Sequence, residues 1–160
     1  MSLDYIRDYA TEAFRFYAKM GKPSYEAMKT RIYQEALERE RRRLESEIHS
    51  KALVKPVEQA VINAERELDK REAELLDILA IEKVMVRLST MQARVDGQGI
   101  RQAVEIVYFT APEQKLKRGD IIDRVRRACI ELPADERTVY RYLKMARRMF
   151  AQERGLRSAE

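Results

Sequence analysis

The sequence predicts an all-α chain, a helical bundle built around one long central helix with shorter helices at its carboxy-terminal end. Breaker residues carry much of that prediction. The 160 residues hold only five glycines and four prolines, at Gly21 and Pro23, Pro56, Gly97 and Gly99, Pro112 and Gly119, Pro133, and Gly155. Between these points apolar residues recur at spacings of three and four, the period of an amphipathic helix. Strand-like alternation is nearly absent. The one β-tempting run is VEIVYF at 104–109, and its flanks, QGIRQA before and TAP after, favour a short buried helix.

The first helix is expected over about 3–20, with Tyr5, Ile6, Tyr9, Ala13, Phe16, Tyr17 and Met20 along one side. GKPS then combines a stop with a start. Gly21 can take a left-handed cap, and Ser24 can accept from the free amides of the next turn. The second helix begins near Tyr25, is apolar at Met28, Ile32 and Ala36, and runs into ERERRRLESE. There Glu35–Arg39 and Glu38–Arg42 have the i,i+4 order that supports an exposed helix. The acids of this run nearly match its bases, so it reads as a solvated face and not as a nucleic-acid tract. Pro56 opens the longest helix, about 57–93. Its first half shows a narrow stripe of Val57, Val61, Ala64, Leu68 and Leu75, while LLDILAIEKVMVRL (75–88) is apolar on more than one face and forms the centre of the core. That seam suits packing within the chain or against a second copy equally. DGQG (96–99) breaks the chain, and short helices follow at about 100–110, 120–130 and 135–153. The organisation expected is a helical assembly region, 1–96, followed by a distinct region, 97–160.

Composition bounds the class. Hydrophobic residues at 45% and charged residues at 37% describe a globular but heavily solvated chain. Charged residues interrupt every apolar stretch before the roughly 18 residues a bilayer needs. The opening MSLDYIRDYA carries acids and lacks the apolar core of a secretory signal. The single cysteine, Cys129, allows no internal disulfide and fits a reducing compartment. Together these predict a cytoplasmic protein with no membrane partner.

Charge is uneven. Residues 115–160 carry 13 Lys and Arg against 7 Asp and Glu, a balance of +6, so with a total of +5 the preceding residues sum to −1. A basic end on a near-neutral chain points to a polyanionic partner for that end. The helix beginning DERTVYRYLKMARRMF (135–150) holds five cations, and its acids, Asp135 and Glu136, both stand at its start. Asp135 is the expected N-cap. Val139, Tyr142, Leu143, Ala146, Met149 and Phe150 form its inner side, packing on a helix that Asp120 caps and that turns Ile121, Ile122, Val125, Ala128 and Cys129 inward. Outward lie Arg137, Arg141, Lys144 and Arg148, with Thr138 and Tyr140 alongside.

That pattern suits a reader of the DNA major groove, which is about 12 Å wide and admits one helix, amino-terminal end first. Arginine pairs bidentately with guanine, and threonine and tyrosine supply a methyl and hydroxyls. Lys144 and Arg148 would neutralise phosphates, and Lys115, Lys117 and Arg118 would contact the flanking backbone. The competing reading is a helical hairpin whose basic face is merely solvated.

AVEIVYF followed by RGDIIDRVRRACIELPADERTVYRYLKMARRMFAQERGLR resembles the carboxy-terminal helix-turn-helix of phage late-transcription regulators of the RinA/ArpU type, which are similar to region four of bacterial sigma factors. The resemblance covers roughly residues 98–157. It implies sequence-specific binding of double-stranded DNA in a phage or prophage setting, with RNA polymerase as a further partner. By position, Arg137, Thr138, Tyr140 and Arg141 would read bases, and Asp135 stands where a serine cap is usual. The stretch from Cys129 to Asp135 is longer than the turn of three or four residues such motifs use.

Signs of catalysis are few. His49, the single histidine, lies beside the charged run with no cysteine near it to share a metal and reads as a surface residue. Cys129 reads as a small core residue. GQG at 97–99 lacks the remainder of a phosphate-binding loop. No enzyme, cofactor or metal is expected. Beside the transcription regulator stand two other readings: a DNA-packaging subunit like a small terminase, which a ring-forming homo-oligomer would favour, and a helical adaptor whose basic face binds an acidic protein.

Overall fold

The computed structural model describes residues 2–47, 56–91 and 96–156; His49 lies outside them. Among the described residues every regular element is helical. The order is α1 (Ser2–Lys19), α2 (Tyr25–Glu47), α3 (Pro56–Lys70), α4 (Glu72–Thr90), α5 (Gly97–Val107), α6 (Asp120–Glu131) and α7 (Glu136–Arg154). Of VEIVYF, residues 104–107 form the last turn of α5, Tyr108 is its C-cap and Phe109 follows it; Val104, Val107, Tyr108 and Phe109 are buried.

The single long helix expected over 57–93 is instead two, separated at Arg71, while 92 and 93 lie outside the described residues. The Arg71 amide is shared between the carbonyls of Glu67 (3.2 Å) and Leu68 (3.1 Å), the forked pattern of a tightening helix end. The ladder resumes with the Leu75 amide donating to Arg71 O, and Arg71 Nε donates to Glu74 at 2.6 Å. Neither glycine nor proline marks the point.

The chain divides into two compact units. One comprises 23–76. Its core is a hairpin of α2 on α3, with Met28, Ile32, Ala36 and Leu44 facing inward from α2 and Ala60 and Ala64 from α3. Ser24 Oγ caps α2 by accepting from the Ala27 amide at 3.1 Å. The charged run is a laddered surface: Arg42 pairs with Glu38 (3.4 Å) as its spacing predicts, but Glu35 pairs with Arg31 (3.6 Å) and Arg39 reaches Glu67 on α3 (3.7 Å). Val57, expected in the stripe, is 74% exposed.

The other unit comprises 1–22 with 77–160. Here α5, α6 and α7 pack on one another and α1 packs on α7. The buried side of α1 is Ala10, Ala13, Phe14 and Tyr17, whereas Tyr5 is 63% exposed. Phe14 supplies the centre of an aromatic cluster, its ring 5.5 Å from Tyr108, 5.8 Å from Phe150 and 6.4 Å from Phe109. From α4, Ile78, Ile81, Val84 and Leu88 are fully buried. Asp77 is a polar hub of this unit. It accepts from the Tyr9 hydroxyl at 2.8 Å and from Arg154 Nε at 2.7 Å, joining α1, α4 and α7.

No helix of the described residues is long and apolar enough to cross a membrane.

Candidate nucleic-acid interface

The start of α7 is built by Asp135. Its backbone is extended (φ −80°, ψ 167°) and its carboxylate accepts from the Thr138 amide at 2.7 Å, as expected of an N-cap. The hydrogen bonds from Thr138 hold this carboxyl below its ordinary range, with Arg137 and Arg141 adding to the effect. Val139, Leu143, Ala146, Met149 and Phe150 are buried, which fixes the rotation of the helix. Arg137, Tyr140, Arg141, Lys144 and Arg148 are exposed as a result, and Thr138 is half-buried beside its cap. Gly155, at φ 75°, ends the helix, and the Leu156 amide donates back to Ala151 O at 2.9 Å.

Arg137, Thr138, Tyr140, Arg141 and Lys144 line one shallow depression together with Arg147, which the sequence reading left out. Arg148, though exposed, lies outside that lining, as do Lys115, Lys117 and Arg118. Arg147 is at i+4 from Leu143, at the border of the inner face, and Nη1 donates to the Tyr108 hydroxyl at 2.9 Å. Its helical spacing was the available signal. Tyr140 and Arg147 also line a groove that α7 forms with Asp8 and Glu12 of α1 and Ile121 of α6. The amino-terminal helix therefore borders the basic face and sets two carboxylates at its edge.

Between α6 and α7 run only residues 132–135. The turn is shorter than the spacing from Cys129 suggests because α6 continues to Glu131, its end sealed by the Leu132 amide donating to Ala128 O at 2.8 Å. Arg126 and Glu136 span the two helices at 3.4 Å. The inner side of α6 is narrower than expected: Val125 and Ala128 are buried, Cys129 is half-buried and Ile122 is 46% exposed. Burial, with Glu136 and Asp135 nearby, raises the Cys129 thiol pKa above its ordinary value. Asp120 does not cap α6 inward. Gly119 (φ 92°) holds the cap position, and the Asp120 carboxylate accepts from the Lys117 amide in the preceding loop at 2.6 Å.

That loop carries Lys115, Lys117 and Arg118, all exposed. Its other end is gripped by Arg15 of α1, 4% exposed, whose guanidinium donates to the carbonyls of Tyr108 (3.4 Å), Ala111 (3.2 Å) and Gln114. Arg124 Nη1 donates to Val107 O at 2.9 Å, so two cations meet the carbonyl end of α5. Burial, and then Arg124, lower the Arg15 pKa, while Glu12, Asp120 and Glu113 work against them.

Among the described residues no three His, Cys, Asp or Glu side chains gather as metal ligands. Comparison with known protein families, curated proteins and solved structures finds no match to the chain.

Proposed function

We propose that this protein binds double-stranded DNA sequence-specifically and regulates transcription, with α6 and α7 acting as a helix-turn-helix. One observation carries the reading: Arg137, Thr138, Tyr140 and Arg141 cluster, outward-facing, at the capped start of a helix whose opposite side is buried. A helix offered this way inserts its first turns into the major groove. Arg137 and Arg141 are then the guanine readers, Thr138 and Tyr140 supply methyl and hydroxyl contacts, and Lys144 and Arg148 meet phosphates. Lys115, Lys117 and Arg118 extend the backbone contact. In this reading the protein binds and does not catalyse. The resemblance of residues 98–157 to phage late-transcription regulators adds RNA polymerase as a partner, with the charged α2–α3 hairpin serving assembly or polymerase contact.

The test is selection of bound sequences from random duplex DNA at two salt concentrations. An enriched motif, with affinity falling steeply as salt rises, is expected. Salt-sensitive binding without a motif would transfer the protein to DNA packaging. Absence of binding at low salt would leave the basic face to an acidic protein partner.

A further inference from the structure

We infer that Arg15, on the first helix, is a positioning residue for the DNA backbone contacts made by Lys115, Lys117 and Arg118; the inference rests on the DNA-binding reading above. Two anchors bracket the cationic segment. On one side the Arg15 guanidinium collects the Ala111 and Gln114 carbonyls, 96 and 99 residues away in sequence. On the other the Asp120 carboxylate receives the Lys117 amide, and the Asp120 amide donates back to Lys117 O at 3.0 Å. All three cations lie within four residues of Gln114, none inside a helix, and their side chains are exposed. A connection from 108 to 119 without these anchors would sample many conformations, and ordering it on a phosphate backbone would cost affinity. The anchors order it beforehand.

Arginine suits the inner position because its planar fork reaches three carbonyls at once, which the compact ammonium of lysine cannot match. Arg15 itself is buried and offers no contact to a ligand. It acts through the loop.

The test is a cycle of variants in the full chain. Removing the three loop cations (K115A/K117A/R118A) should lower the slope of log affinity against log salt by about 0.9 for each phosphate no longer neutralised. In an R15K background, which keeps the net charge, the same triple change should lower the slope by less than half as much, and amide hydrogen exchange over 111–118 should quicken. Because R15K also loosens the core, D120A serves as the second background: it releases the other anchor from the surface and should likewise shrink the effect of the triple change. An equal effect of the triple change in wild type and both backgrounds would overturn the positioning role while leaving DNA binding intact. Failure of the wild-type chain to bind duplex DNA at low salt would overturn the DNA reading, and this inference with it.

Discussion

The Tyr142 hydroxyl donates to Asp96 Oδ2 at 2.8 Å, while the other carboxylate oxygen of Asp96 accepts from the Gly99 amide, also at 2.8 Å. One carboxylate thus caps α5 and ties it to the middle of the basic helix. Asp96→Ala should cost roughly 2 kcal/mol, about half from the cap and half from the missing tyrosine hydrogen bond. Asp96→Asn keeps one oxygen for the Gly99 amide and presents an NH2 that can donate to the Tyr142 hydroxyl oxygen, so it should cost much less. Urea unfolding of the two variants checks the difference.

The same bond gives an alkaline signature. Donation to Asp96, and then burial, raise the Tyr142 pKa above its ordinary value of 10.0. The folded chain holds this proton more tightly than the unfolded one, so the stabilisation is complete below about pH 10 and is lost as pH rises through the raised value. Tyr142→Phe should flatten the fall in melting temperature above pH 10. An unchanged alkaline profile would refute the assignment.

At the other extreme, the Asp135 carboxyl is depressed below its ordinary 3.8. Its contribution is present above that value and disappears as pH falls through the depressed one. Asp135→Ala should lower the melting temperature at neutral pH. Asp135→Ser keeps an oxygen acceptor for the Thr138 amide and removes a negative charge beside Arg137 and Arg141, so it should hold stability and tighten DNA binding. Thermal melts and titration with duplex DNA read both effects.

Gly97 makes a close approach that its place in DGQG does not announce. A Cβ there would stand 2.5 Å from Leu88 O and 2.9 Å from Met91 Cβ. On helix propensity alone Gly97→Ala would gain up to about 1 kcal/mol. The clash with backbone should win, for a net loss of roughly 1–3 kcal/mol in chemical denaturation.

Three arginines of α7 should separate stability from binding. Arg147 is tied to the Tyr108 hydroxyl, so Arg147→Ala should cost about 1 kcal/mol of stability or somewhat more and change the salt dependence of DNA binding little. Charge reversal at Arg137 and Arg141, both exposed, should abolish DNA binding while the melting temperature stays near wild type. Full affinity in the R137E/R141E variant would show that other residues contact the DNA.

Local and periodic signals determined much of this protein from sequence alone. Spacings of three and four, with few breakers, specify helices because only a helix brings such residues to one side; they also set the rotation of α7, and hence the exposure of Arg137, Tyr140, Arg141 and Lys144. The caps Ser24 and Asp135 are equally local, since each bonds an amide three residues on. The tertiary structure decided what depends on distant neighbours. Arg15 sits between two phenylalanines with nothing in its own segment to bury it, and its partners are carbonyls of residues 108, 111 and 114, which carry no side-chain signature. The break at Arg71 has no glycine or proline to mark it. The return of α1 onto α7 depends on Phe14, which the expected side of α1 left out while naming Phe16, reaching Tyr108 and Phe150. Periodicity states which side of a helix is apolar; only the packed chain states what that side meets.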